Sequence, residues 1–182
     1  MATKYLGQPF DIHAGGVDHI AVHHENEIAQ SEAAYGVPLA KYWLHNEFLL
    51  IDGGRMGKSL GNAYTLDDIE AKGVDPLAYR YFALGAHYRS KLNFTWEALS
   101  QAEQALHRLH ALLREWGEDE GDVNSDAMTR FREALEDDLN TPKALAVAWD
   151  VARGALPVQD KRATLLAIDE VLGLGLSDVK EE

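Results

Sequence analysis

The stretch "HAGGVDHIAVHHENE", residues 13 to 27, sets four histidines and two glutamates around a Gly-Gly pair. His19 and His23 are four residues apart, as are His23 and Glu27, so on a helix each pair projects from one face. Imidazole and carboxylate are metal-ligand types, but two ligands do not close a zinc site, which takes four. The same residues read as a nucleotide site. Paired glycines after a strand let a ligand approach the backbone closely, and Asp18 just beyond offers its carboxylate to a ribose hydroxyl. A third reading needs no ligand at all: a tight turn with a capping Asp at the start of a solvated helix.

Two further clusters carry chemistry-bearing types. In "GGRMGKSLGN", residues 53 to 62, Arg55 and Lys58 stand in a glycine-bearing loop after a strand. There a mobile ammonium reaches a polyphosphate and stabilises charge that develops as a phosphoanhydride bond rearranges. This is not a Walker loop, because Gly53 and Gly54 do not have the spacing to Gly57 that the loop requires. The plain alternative is a solvated lysine in a polar turn. In "DDLNTP", Asp137, Asp138 and Asn140 before Thr141-Pro142 read as helix-end capping and chain reversal.

The elements that must hold these residues follow from periodicity and punctuation. "FDIHAGG" reads as a brief strand ending in a flexible turn, followed by a helix from His23 to Ala34 that stops at Gly36 and Pro38. "YWLHNEFLLIDGG" favours a strand or hairpin, being aromatic and branched and ending in Asp52-Gly53-Gly54. Beyond Gly61 helix starts appear at Thr65 with Asp68, Asp75 before Pro76, Thr95, and Thr141 before Pro142. Leu99, Ala102, Leu106, Leu109 and Leu113 form an apolar stripe over Thr95 to Trp116 that must pack on other helices. "GEDEGDVNSD" is the best candidate for a flexible linker. Phe131/Leu135, Ala144/Val147/Val151 and Leu165/Ile168/Leu172 supply three more stripes, so residues 93 to 173 read as an antiparallel helix bundle. The closing "SDVKEE" reads as a loose tail.

Composition sets the outer limits. A chain of 182 residues with 46% hydrophobic content supports a real core. The net charge of -13 argues against broad, non-specific binding to a phosphate backbone, and leaves room only for a local basic patch. With no cysteine there is neither a disulfide nor a thiolate ligand within the chain, which fits a reducing compartment. No stretch approaches a membrane span, and the first residues lack the order of a signal peptide, so the chain reads as cytoplasmic.

Taken together and in order, "FDIHAGGVDHIAVHHENEIAQSEAAYG", "YWLHNEFLLIDGGRMGKSLGN", "YRYFALGAHYRSKLNF" and "DDLNTP" closely resemble the second part of class I cysteinyl-tRNA synthetases, over residues 4 to 173. The resemblance implies a mainly α chain with a small α/β portion. Residues 1–50 would close a Rossmann-type nucleotide domain, 51–92 would carry the signature loop and stem-contact region, and 93–182 would form the helical bundle. It implies ATP-dependent activation of cysteine and its transfer to tRNA.

Site residues carry over from the resemblance one by one. "RMGKS" matches the family's Lys-Met-Ser-Lys-Ser signature with Arg55 for the first Lys and Gly57 for the first Ser. Lys58 would then be the catalytic ATP-phosphate lysine, with Arg55, Met56 and Ser59 beside it. His13, Gly15, Gly16 and Asp18 would line the adenosine side. The family's zinc is held by two cysteines, a histidine and a glutamate; His23 and Glu27 match the last two, and the cysteines are absent here. The His-Ile-Gly-His signature does not occur in this sequence either. The expectation is a chain inactive alone, which pairs with the N-terminal half of the catalytic domain or self-associates, and which holds at most weak contact with tRNA. Two alternatives remain open: the cysteine ligase of mycothiol biosynthesis, and a non-catalytic interaction module derived from the synthetase.

Overall fold

The computed structural model describes residues 2–179, without the side chains of Ala2 and Lys58. The chain divides into two compact units, Met1–Leu49 with Tyr88–Leu92, and Leu50–His87 with Asn93–Glu182.

In the first unit, helix α1 (Ala2–Leu6) precedes strand β1 (Phe10–Gly16), helix α2 (Glu25–Tyr35) and strand β2 (Ala40–Asn46). β1 and β2 pair in parallel, in a register that runs from Phe10↔Ala40 to Gly16↔Asn46. A parallel pair needs a crossover, and α2 supplies it. The chain between β1 and α2 winds first as a 3-10 turn, Val17–His19, and then as a π turn, Ile20–His24. The expected helix over His23–Ala34 therefore begins later, at Glu25, because the histidine-bearing residues take the tighter and wider turns ahead of it. It ends as its glycine predicts: Gly36 adopts φ +70° and its N–H donates to the Glu32 carbonyl at 2.8 Å. The core here is small, formed by Phe10, Leu39 and Ala40 with Trp43 packed against them, and α2 buries none of its residues.

From Leu50 on, the second unit holds the hairpin of β3 (Leu49–Ile51) and β4 (Gly54–Arg55), paired at Leu50↔Arg55 and Ile51↔Gly54. Asp52 and Gly53 both have positive φ, +49° and +76°, the backbone that a two-residue turn between right-twisted strands requires. Strand β5 (Leu92–Phe94) completes the sheet in the order β4-β3-β5, and the Asp52 N–H donates to the Phe94 carbonyl at 3.0 Å.

Helices α3 (Leu66–Ala71), α4 (Pro76–Leu84), α5 (Trp96–Glu115), α6 (Ser125–Glu136), α7 (Thr141–Arg153) and α8 (Val158–Leu172) follow. Their starts are chemically marked. Thr65 and Asp68 form a reciprocal capping box, while Asp75 and Thr95 accept from the N–H groups of Leu77 and Ala98. For α7 the cap lies one residue earlier than the sequence suggested, since Asn140 rather than Thr141 accepts from the Lys143 N–H. All five members of the α5 stripe are buried, and Leu106, Leu109 and Leu113 enter one core with Phe131, Val147, Val151, Leu165, Ile168 and Leu172. The long helices form the expected bundle.

The acidic crossing between α5 and α6 is tethered, contrary to the flexible linker expected of it. The Asp122 N–H donates to Asp160 at 2.9 Å, the Asn124 N–H donates to Thr164 at 2.9 Å, and Gly121 packs directly on the Gln159 backbone. The expected loose tail is also shorter than "SDVKEE". A 3-10 turn over Leu176–Asp178 buries Leu176, while residues 180–182 lie outside the described residues. No helix among the described residues is long and apolar enough to cross a membrane.

Candidate functional site

The sequence cluster around the paired glycines folds into one histidine-lined site in the first unit. His13 projects from β1 and its Nε2 meets Glu27 Oε2 at 2.7 Å, joining the strand to the first turn of α2. His24, from the π turn, lies beneath them with 3% exposure, its Nε2 4.0 Å from the same Glu27 oxygen. His45, from β2, meets His24 Nδ1 through its Nε2 at 2.8 Å. Trp43 walls the group, edge-on to His13 with ring centroids 4.7 Å apart and tilted against His24 at 4.9 Å. Burial, and next the neighbouring His13 and His45, lower the His24 pKa below its ordinary value, with Glu27 acting in the opposite sense. The shift favours the neutral imidazole of His24.

The His19 and His23 rings lie side by side, tilted, with centroids 4.9 Å apart. His23 Nε2 stands 3.6 Å from Glu27 Oε1, and its side chain is 62% exposed. The group of three whose ligand atoms all lie within 4.8 Å of one another is His13, His24 and Glu27. Sequence reasoning paired Glu27 with His23 and passed over His24 and His45. The signal for both was the glycine at 15, which lies opposite His45 in the strand register. A Cβ at Gly15 would fall 2.7 Å from His24 Cε1 and 2.9 Å from His19 Nδ1, so only glycine leaves room for the rings. Gly16 is confined in a different way: the Asp18 carboxylate folds back over it. Asp18 is itself exposed.

In the second unit, Arg55 ends β4 and is exposed, Met56 and Ser59 are exposed on the segment that follows it, and Lys58 begins a 3-10 turn over Lys58–Leu60. One side chain closes this loop: Asn62 Oδ1 accepts from the Gly57 N–H at 2.9 Å while its Nδ2 donates to the Arg55 carbonyl at 3.0 Å. Beyond it Tyr64 packs edge-on to Trp96 at 5.0 Å, and Lys72 Nζ lies 4.4 Å over the Trp96 ring. Asn62 was not singled out by sequence, although its place at the end of the glycine-bearing loop was visible.

With a parallel β-α-β unit, a lysine-bearing loop after a strand and a helix bundle in one order, fold and site define the class I synthetase architecture. Residues 1–104 match the tRNA synthetases class I (C) catalytic domain family, and residues 130–177 match the DALR domain. The chain belongs to the class I (C) tRNA synthetase family.

Among curated relatives it is 54% identical over 179 residues to Cysteine--tRNA ligase 1 of Burkholderia lata, covering 98% of this chain and 38% of that protein. It is 40% identical over 202 residues to the Cysteine--tRNA ligase of Treponema denticola, covering 97% of this chain and 41% of the relative. The chain thus spans about two-fifths of the curated relatives it matches. A crystal structure of the ternary complex of Agrobacterium radiobacter LeuRS, tRNA and LeuAMS has the same fold. Its TM-score is 0.69 at 15% identity, over 95% of this chain and 27% of that one.

Proposed function

We propose that this chain supplies one part of a cysteine–tRNA ligase: the closing portion of the nucleotide fold, the ATP-phosphate loop and the helical bundle. The observation that carries the reading is the succession of a catalytic-domain match over residues 1–104 and a DALR match over 130–177 in a chain 54% identical over 179 residues to a cysteine–tRNA ligase. In this role His13, Gly15, Gly16 and Asp18 serve the adenosine, and Arg55, Met56, Lys58 and Ser59 the phosphates. Lys58 is the catalytic group, its ammonium stabilising charge as cysteine attacks the α-phosphorus and pyrophosphate leaves. The acceptor of the activated cysteine is tRNA, and the place of action is the cytoplasm.

The first unit supports a chain that acts with a companion. Among its described residues the buried apolar core is Phe10, Leu39 and Ala40, and Ile12 and Tyr42, opposite one another across β1 and β2, are 62% and 69% exposed. Parallel sheets are ordinarily covered on both faces. The family's zinc set of two cysteines, a histidine and a glutamate does not fit the residues of this chain, which has no cysteine.

The test is reconstitution. The chain is mixed with the first half of the catalytic domain of the Burkholderia lata relative, and cysteine-dependent ATP–pyrophosphate exchange is measured. Exchange that appears on mixing and vanishes with Lys58→Ala supports the reading. Exchange unaffected by Lys58→Ala overturns the assigned role. Activity only toward an aminosugar-inositol acceptor points to the mycothiol ligase, and no binding of ATP or tRNA in the mixture points to an interaction module.

A further inference from the structure

We propose that Asp52-Gly53, at the tip of the β3–β4 hairpin, is a site of isoaspartate formation, and that Asn93 is the positioning residue that restrains it. The chemistry needs no ATP, tRNA or companion chain.

The sequence holds one Asp-Gly pair and no Asn-Gly pair. Glycine matters here because it has no Cβ to hinder the approach of its nitrogen to the neighbouring carboxyl. Both residues are exposed, both have positive φ, +49° and +76°, and a Cβ on Gly53 would meet nothing within 4 Å, so the tip has room for a ring. In ring closure the Gly53 nitrogen bonds to Asp52 Cγ, and its proton leaves with a carboxyl OH as water. Water then adds to the succinimide. Cleavage between that nitrogen and the main-chain carbonyl carbon of Asp52 leaves the chain running through Cγ, one methylene longer, and frees the former carbonyl as a carboxylate. The product has the parent's mass.

Asn93 stands against the first step. From β5, its Oδ1 accepts from the Gly53 N–H at 2.7 Å, while the Asp52 N–H donates to the Phe94 carbonyl at 3.0 Å. Both amides of the tip are therefore tied to β5, and the Gly53 nitrogen cannot turn toward Cγ without giving up its bond. Asn93 is itself exposed, so the tether opens locally and slows the reaction rather than abolishing it. The added methylene does not fit a two-residue turn, whose length sets its geometry. The pairs Leu50↔Arg55 and Ile51↔Gly54 would lose register, and with them the Arg55 carbonyl that Asn62 holds.

The full chain is aged at mildly acidic pH and physiological temperature. Isoaspartate is counted by methyl transfer from S-adenosylmethionine with an isoaspartyl methyltransferase, and is located in the tryptic peptide 42–55. The parent should form it at Asp52, more slowly than the free peptide 42–55. Asn93→Leu keeps the size and removes the acceptor, so it should form isoaspartate at least about fivefold faster than the parent, the equivalent of one hydrogen bond. Asn93→Asp keeps an acceptor oxygen and should stay near the parent rate. Position 93 is exposed, and circular dichroism confirms folding of both variants. Equal rates for the parent and Asn93→Leu, an Asn93→Asp rate that matches Asn93→Leu, or a rise spread over other aspartates overturns the proposal.

Discussion

Gly15 and His24 occupy one space: a Cβ built on the glycine would stand 2.7 Å from the Cε1 of the ring. His24 has nowhere to retreat, being 3% exposed, hydrogen-bonded to His45 and packed against Trp43. Gly15→Ala should therefore overpack the site and destabilise the first unit by about 1–3 kcal/mol. Gly57→Ala is the matched control, because its Cβ would meet Leu60 at 3.6 Å and the Ser59 hydroxyl at 3.9 Å, both ordinary contacts. Chemical denaturation compares the two; equal stability of Gly15→Ala and the parent would show that the rings can yield.

The Asn62 clasp makes a prediction about motion rather than stability. Its amide holds the Gly57 N–H at 2.9 Å and the Arg55 carbonyl at 3.0 Å, closing the loop that carries Lys58. Asn62→Ala removes both bonds at a half-buried position that water can still reach, so global stability should change by about 1 kcal/mol or less. Hydrogen exchange at the Gly57 amide should quicken about fivefold, the equivalent of one such bond. An unchanged Gly57 exchange rate would mean that the loop is held by other contacts.

The contrast between the two units explains how much of this could be read beforehand. In α5 the spacing of Leu99, Ala102, Leu106, Leu109 and Leu113 is enough to place a buried face, because helix periodicity is local and its partners need only be apolar. The starts at Thr65, Asp75 and Thr95 are local as well, each cap reaching an N–H within three residues. The histidine site is not local. His24 and His45 meet across 21 residues through a parallel register, and a π turn, not a regular helix, sets which of two adjacent histidines faces inward. Helical spacing therefore selected His23, and tertiary pairing brought in His24. The acidic crossing failed for a similar reason: Asp122 and Asn124 find their partners, Asp160 and Thr164, some forty residues on, which composition cannot disclose.

The capping box at α3 gives a pH prediction. The Thr65 N–H and, next, its hydroxyl lower the Asp68 pKa below the ordinary value, both contacts being 2.7 Å to the same oxygen. The folded value lies below the unfolded one, so the contribution is complete above the unfolded pKa of about 3.9 and is lost as pH falls through the folded value. An NMR titration of the Asp68 carboxyl carbon should give a midpoint below about 3.9, which Thr65→Ala raises part of the way while the backbone contact remains. A midpoint at or above the unfolded value would contradict the reciprocal box.

Asp169 governs how the chain leaves the bundle. Near the end of α8 and only 8% exposed, its two carboxylate oxygens accept from the N–H groups of Leu174 at 2.6 Å and Leu176 at 2.8 Å. These bonds turn the backbone after Gly173 and seat both leucines in the core, at 1% and 3% exposure. Arg80 secures the same corner through its Nε, which donates to the Leu172 carbonyl at 2.6 Å. Asp169→Asn keeps the shape but replaces one acceptor by a donor, so one buried N–H faces an NH2 group and loses its partner. The cost should be about 1–3 kcal/mol, the range for an unsatisfied buried donor. Glu170→Gln, on the exposed neighbour, should stay within about 0.5 kcal/mol of the parent. Denaturant unfolding at neutral pH separates the two, and a loss no greater for Asp169→Asn than for Glu170→Gln would mean that apolar burial of the leucines, not the carboxylate, fixes the turn.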